Sequence, residues 1–417
     1  MEPTKVIPKL WNKHFVIILF MTFFCYFAEY INITTIPLFT VSIGGDESTA
    51  GIFLTVVSIT ALFFRPYLGY VMDQKSRKRI LVLGTVCMSI AALSFSLVNL
   101  IPLIMTLAIF QGIAVSSITT AGPTVVTDVT ERGRLAEGIS LYSNALNLSI
   151  AFGPMVALGV INRFGYVITF RTSFTISLLA IIFAIMLNYE QKQTLPHGSS
   201  SPGSERFNIK TIFEQTAIKP ALYQFFMAFC AALIWSFIPL FGLSRGIENI
   251  GMFFPVYAGA TIMVSLFTGK LVQRFGVGKV FIPGLVMQLC AFISLAYAQS
   301  LPLILLVGLL YGLGSASGFA IINFIGMDLA PSHRRGAANA TLFAAMDVGV
   351  ALGSMLMGII TAQFGFTITF LVAAAMIGVD IFLFLLTQSL SPAKVLHDSS
   401  VLSKTEERSK RFQGESL

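Results

Sequence analysis

Charge is what this chain has least of. Of 417 residues only 11% are Asp, Glu, Lys or Arg, while 55% are hydrophobic, and mean hydropathy is +0.83. A soluble globular domain carries about 25% charged residues, so composition excludes that class and points to a chain that lives in a bilayer. Cysteine is scarce too. Cys25, Cys87, Cys230 and Cys290 each stand alone in an apolar stretch, with neither metal-ligand spacing nor a disulfide framework. They read as buried structural thiols. The four histidines, His14, His197, His333 and His397, lie near helix ends, in loops or in the C-terminal segment. That leaves no nucleophile–base pair and no metal-ligand set at membrane depth. No phosphate-cradling glycine loop occurs. These absences count against a membrane-embedded enzyme, against a bound cofactor or metal, and against ATP as the energy source.

What is present is apolar sequence in long runs. The first, 14–39, is too long for the core of a signal peptide, about 7–15 residues, and reads as a retained spanning helix. A helix needs about 20 apolar residues to cross a bilayer. About twelve such spans are expected, from 15–39 to 366–388, so the fold class is an all-α membrane protein. A polar insert at 189–218, with "HGSSSPGSERF" inside it, has flexible-linker composition and divides the spans six and six. The expected organisation is a six-helix bundle at 1–188, the linker at 189–218, a second six-helix bundle at 219–391, and a polar, disordered tail at 392–417. The end of the linker, 207–218, reads as a short interfacial helix. If both chain ends lie in the cytoplasm, Arg163, Arg171 and Arg245 are the only three of the 27 Lys and Arg residues in external loops. This positive-inside bias sets the orientation and accounts for the pI near 9.3. The basic clusters face anionic lipid rather than nucleic acid.

The two halves repeat each other. "FGYVITF" at Phe164–Phe170 returns as "FGFTITF" at Phe364–Phe370, an offset of 200 residues. Gly69 pairs with Gly269, Gly84 with Gly284, Gly112 with Gly312, Asp128 with Asp328 and Gly153 with Gly353 at that same offset. "IPLF" at Ile36–Phe39 recurs at Ile238–Phe241, offset 202. Six crossings per unit is an even number, so both units enter the membrane in one sense. Parallel repeats of this kind place a transport site between the halves.

Several motifs resemble the major facilitator superfamily. After the second span the chain reads "GYVMDQKSRKR", which matches that family's loop pattern at Gly69, Asp73, Arg77 and Lys78 and departs from it at Gln74 and Ser76. Gly69 is expected to let helices approach closely. The second copy, "GKLVQRFGVGK", keeps Gly269, Arg274 and Gly276 but has Gln273 in place of the acid. The resemblance implies a cytoplasmic latch. In it Asp73 faces the positive end of the eleventh helix, and Arg77 pairs with Asp128 at the end of the fourth helix when the cytoplasmic side is closed. In the fifth span, "SIAFGPMVALG" is similar to the antiporter motif of the family's drug:proton exporters at Gly153 and Pro154, with Leu158 departing from it; the structural reading is small-residue packing with a proline kink. In the fourth span, "AIFQGIAV" matches the exporters at Gln111 and Gly112, but Ala108 stands where they carry an arginine tied to proton coupling.

Ionisable residues at membrane depth are expensive and mark function by default. Here they are Glu29, Arg65, Asp347 and Asp380. Glu29 shares a helix face with Asn32, one turn on. Asp347 lies near the middle of the eleventh span, where Asn147 is its counterpart in the fifth and Asn144 precedes it by one turn. Asp380 is deeper in the twelfth span, with a structural role as its alternative. Arg65 either snorkels to the interface or lines an anionic path. Gln111, Trp235, Tyr257 and Asn323 are candidates for the cavity wall or for hydrogen bonding between helices. The expectation is a secondary transporter of the cell membrane that exports small amphipathic molecules, including metal-chelating metabolites. Proton entry drives it, with Glu29, Asp347 and Asp380 as candidate proton carriers. The resemblance implies a monomer. An uptake symporter of the same fold is the alternative, although the sugar-porter motifs are missing from "NYEQKQTLP" and "SPAKVLH".

Overall fold

The computed structural model describes residues 10–74, 76–131, 134–189, 213–331 and 334–390. Within them the chain is helical. In chain order the helices are α1 (Lys13–Ser42), α2 (Glu47–Gln74), α3 (Arg77–Phe95), α4 (Ile101–Val129), α5 (Leu135–Met186), α6 (Ile218–Ser236), α7 (Ile238–Ser244), α8 (Phe253–Phe275), α9 (Val277–Ala296), α10 (Leu301–Asp328) and α11 (Arg335–Leu390). Among the described residues, ten helices are long and apolar enough to cross a membrane. The reason for an all-helical chain is elementary. Hydrocarbon offers no water to an open backbone amide, and a helix satisfies its own.

Two helices are too long for one crossing. α5 has 52 residues and α11 has 56. At 1.5 Å per residue each would reach about 80 Å, more than twice the hydrocarbon thickness. Each is broken at a glycine: Gly165 at φ 79° and ψ 178°, Gly365 at φ 80° and ψ 169°. Both values lie in a region that only glycine enters readily. The chain doubles back there. Ahead of Gly165, Ser149 bonds to the Phe23 carbonyl and Gly153 abuts Tyr30. Beyond it the order along α1 reverses: Phe170 touches Phe39, Ser173 bonds to the Ala28 carbonyl, and Phe183 stacks on Phe20 and Phe24.

The repeat is visible in packing as well as in sequence. α1 lies on α5 as α6 lies on α11, α2 on α4 as α8 on α10, and α3 on α4 as α9 on α10. The same atoms meet. A Cβ at Gly112 would reach the Val57 carbonyl at 2.7 Å, and one at Gly312 would reach the Tyr257 carbonyl, its counterpart, at 2.6 Å. Gly84 faces Ser117 and Gly284 faces Ser317. The rings of Phe39 and Phe170 stand 5.4 Å apart, those of Phe241 and Phe370 5.1 Å apart, both edge to face. Between the halves the seams are α2 against α11 and α5 against α8.

Two expectations need correction. Among the described residues a Cβ at Gly69 would meet nothing within 4 Å, so no described helix approaches closely there; close approaches fall instead at Gly51, Gly112, Gly153, Gly312, Gly349, Gly353 and Gly358. Cys290 is exposed, while Cys25, Cys87 and Cys230 are buried. It lies on a face of α9 that the other helices do not cover. The expected interfacial helix at 207–218 is described only from residue 213 on, where one short turn, Gln215–Ala217, precedes α6. The tail at 392–417 lies outside the described residues.

Both chain-side ends of the bundle are tied at the basic face. Asn12 caps α1 through the Phe15 amide and donates to the Val129 carbonyl at 2.6 Å. In the second half the Glu214 carboxylate accepts from Arg334, and the Glu214 amide donates to Thr341 Oγ1 at 2.9 Å.

Two expected outcomes follow from this packing. Gly353→Ala puts a methyl against the Phe229 carbonyl, with the carbonyl carbon 2.8 Å away. Overpacking of this kind costs about 1–3 kcal/mol, so thermal unfolding of the purified protein in detergent should move down, whereas Gly69→Ala should leave it in place. The second concerns Glu214. Arg334 holds this carboxyl below its ordinary value of 4.5, so the contact is fully present above that value and is lost as pH falls through it and below. Unfolding temperature should therefore drop with acidification across that range, and Glu214→Gln should flatten the drop.

Candidate functional site

The α2–α11 seam carries the one buried ion pair that joins the halves among the described residues. Arg65 sits 18 positions into α2 and Asp347 sits 12 into α11. The Arg65 guanidinium donates from Nε and Nη2 to Asp347 Oδ2, at 3.0 and 2.8 Å, and from Nη2 to Oδ1 at 3.0 Å. This is the two-pronged arrangement that a planar guanidinium makes with a carboxylate. Arg65 Nη1 donates to Thr119 Oγ1 on α4 at 2.7 Å, and the Phe343 ring lies 4.8 Å from the guanidinium carbon. Arg65 is 8% exposed and Asp347 5%. Arg65 therefore does not snorkel; it turns inward to a partner 282 residues away.

On the far side of this pair from the basic end, the seam is closed by backbone contact. Thr55 Oγ1 donates to the Ala351 carbonyl at 3.0 Å and Ser354 Oγ to the Gly51 carbonyl at 2.5 Å. Gly51 and Gly358 face each other with no room for a side chain on either. Near the same end, a cleft of about 470 Å³ runs between the halves, lined by Met155, Asn162 and Tyr166 on one side and Gly242, Glu248 and Asn249 on the other. Neither Arg65 nor Asp347 borders it.

Glu29 lies in the middle of α1, 7% exposed. Its Oε2 is buried with no hydrogen-bond partner. Asn32, one turn further, is fully buried; its amide reaches only the Met88 sulfur, at 3.9 Å, and its Oδ1 is unpartnered. Gln111 on α4 is also fully buried, with both amide atoms unpartnered. The first half thus holds several polar groups that nothing among the described residues satisfies. Buried groups of that kind are rare in folded proteins and need a reason.

The other expected residues distribute as follows. Asn147 is buried and Asn144 half-buried on α5. Gly153 is a packing residue set against Tyr30 and the Phe27 carbonyl, with Pro154 beside it. Trp235 packs into an apolar cluster shared by the two halves. Tyr257 lies 5.8 Å from the Tyr311 ring. Asn323 spends its amide on the Phe319 carbonyl of its own helix, at 2.8 Å. Asp380 is fully buried on the outer arm of α11, both oxygens unpartnered, in the neighbourhood of Tyr223 and Cys230 on α6. It belongs to the interior of the second half rather than to the seam.

At the basic end Arg77 is ion-paired with Asp128, and Tyr189 Oη donates to the same carboxylate at 3.2 Å. Lys78 reaches the Ile185 carbonyl at 2.7 Å and the side chain of Asn188. All of these lie within the first half, so the Arg77–Asp128 pair does not itself bridge the seam. Asp73 is in the last turn of α2, and its side chain lies outside the described residues.

Sequence reasoning missed Thr119 and Phe343 and did not join Arg65 to Asp347. One signal was available. In the second copy of the seam the same positions are Ser265 and Asn147, so charge of both signs had been placed on one seam and kept off its twin.

Comparison with known proteins places this architecture. The sequence profile of the Major Facilitator Superfamily matches residues 18–255 and 221–411. The chain is 23% identical over 356 residues to the staphylopine export protein of Staphylococcus aureus (strain Mu50 / ATCC 700699), covering 82% of this chain and 88% of that one. It is 25% identical over 279 residues to multidrug resistance protein 2 of Bacillus subtilis (strain 168), covering 63% and 67%. Among solved structures, the nucleoside transporter NupG superposes with a TM-score of 0.69 at 15% identity, over 90% of this chain and 98% of that one. A bacterial homologue of the human lysosomal transporter Spinster, in an inward-facing and occupied conformation, superposes with a TM-score of 0.72 at 13% identity, over 90% and 96%. With a family profile spanning both halves, a duplicated helical bundle and charges concentrated on one seam, the chain belongs to the Major Facilitator Superfamily of transporters.

Proposed function

We propose that this protein exports small amphipathic or charged molecules across the cell membrane by alternating access, driven by proton entry. Each broken helix counts as two crossings, which makes twelve, with both chain ends and the basic face in the cytoplasm. The observation that carries the reading is Glu29: a carboxylate at mid-helix, buried, with an oxygen that no protein group satisfies. A carboxyl in that position takes a proton or a cationic group of a substrate, and not both at once. Competition for one site is what couples two opposed fluxes. Asp347 is engaged by Arg65 in this conformation, so it becomes available only when the seam opens. Asp380, inside the second half, is the remaining candidate for a proton. A relative that shares most of its length with this chain is named for staphylopine export, and another is named for multidrug resistance; both favour export over uptake.

The route between states lies at the seams. Glycine and serine contacts close the α2–α11 seam at one end, the ion pair holds its middle, and the halves also share an apolar cluster. Rocking them apart at the glycine end opens the site to that side.

Two outcomes are expected in proteoliposomes under an imposed pH gradient. Glu29→Gln keeps size and hydrogen-bonding capacity but cannot titrate. It should abolish uphill transport while downhill exchange continues; uphill accumulation equal to the parent would remove Glu29 from the mechanism and transfer the test to Asp380→Asn. The second uses the seam. In a Cys290→Ser background, cysteines introduced by Thr55→Cys and Ala351→Cys and joined by a short thiol crosslinker should stop transport, and reduction should restore it. Unimpaired transport after crosslinking would mean that this seam does not open.

A further inference from the structure

Building on the transporter reading above, we infer that Arg65 and Asp347 are the two poles of a substrate subsite, and that the substrate is a zwitterion. Its carboxylate takes the place of Asp347 on Arg65, and its ammonium takes the place of Arg65 on Asp347.

Four observations on this seam lead there. First, the pair is confined to one seam. Its counterparts in the repeat are Ser265 and Asn147; Ser265 is exposed, so the seam of α5 and α8 is not closed at this level, and opposite charges are kept only where the seam is closed.

Second, the charges belong to different halves, and alternating access separates the halves. Parting the pair while the site is closed to water leaves two desolvated charges, which is strongly unfavourable unless each finds a replacement. A cation alone satisfies Asp347 and strands Arg65. An anion alone satisfies Arg65 and strands Asp347. A ligand carrying both signs satisfies both, and it does so without net charge transfer into the site.

Third, the guanidinium is held in place independently of its partner. Thr119 on α4 fixes Nη1 at 2.7 Å, and Thr119 belongs to the same half as Arg65. When Asp347 withdraws, the edge formed by Nε and Nη2 stays aimed across the seam. That edge matches a carboxylate in two-pronged fashion, a geometry that a lysine does not offer. Asp347 in the resting protein is in effect the stand-in for a substrate carboxylate.

Fourth, the apolar surroundings suit a ligand with a nonpolar body. Phe343 lies under the guanidinium at 4.8 Å, and Met346, Val350 and Trp235 join the shared apolar cluster beside it. Charge at two poles and an apolar flank describe an amino-acid-like or peptide-like metabolite rather than a lipophilic cation.

The test uses the full-length protein in proteoliposomes with a pH gradient and a matched panel. Each of phenylalanine, histidine and alanyl-alanine is offered free, as its N-acetyl derivative, and as its methyl ester; tetraphenylphosphonium is included as a lipophilic cation. Removing either pole leaves a buried partner unpaired, so the free forms should be moved at least about tenfold faster than their blocked derivatives. The Arg65→Ser/Asp347→Asn double variant copies the twin seam and should fold, as judged by elution volume and unfolding temperature. It should lose that preference, with the three forms moving at similar rates. The proposal is overturned if N-acetylated, esterified or phosphonium compounds move as fast as the free forms in the parent, or if the double variant retains the preference; the transporter reading survives either result. Accumulation of no member of the panel under the gradient overturns both.

Discussion

A backbone amide in hydrocarbon has no water to turn to, and most of this architecture descends from that one constraint. Every crossing segment closes its hydrogen bonds within its own helix, so helices are the only units available and their side chains must supply all contact between them. Lipid tails are as apolar as leucine, which removes the usual drive to bury apolar surface. What remains is closeness. The chain achieves it with glycines set against backbone carbonyls: Gly353 on Phe229, Gly349 on Phe225, Gly312 on Tyr257. Where glycine is replaced by serine in the other copy, the hydroxyl binds the same carbonyl, as Ser149 does with Phe23. The duplicated unit is thus a pattern of carbonyls and the small residues that meet them.

Within such a scaffold a buried charge is conspicuous, and its position carries meaning. The repeat supplies an internal control. Glu29 is matched by Ala231, Arg65 by Ser265, Asp347 by Asn147 and Asp380 by Ala180. The two copies agree where helices pack and disagree where charge sits at depth. Packing is the shared inheritance of the halves, and charge marks where they have been given different tasks.

How much of this was legible in the sequence follows the range of the interactions. Hydropathy runs gave the spans because a crossing is a local property of about 20 residues. The 200-residue offset gave the duplication because paired residues answer to the same local packing. Arg77 beside Asp128 was legible from a motif. The union of Arg65 with Asp347 was not, since partner choice across 282 residues depends on how two separately folded halves dock. Gly69 misled for a related reason: a glycine permits a close helix approach but does not require one, and no described neighbour comes within 4 Å of a Cβ placed there. Cys290 misled because an apolar helix has a lipid-facing side, and hydropathy does not distinguish that side from the interior.

The single glycines at 165 and 365 have a further consequence. Each joins two crossings with no loop between them. A connection of one residue presents nothing for a protease to bind in extended form, nothing for an antibody to grip, and no slack into which a tag can be spliced. These two turns would be nearly invisible to topology mapping by cleavage or epitope insertion.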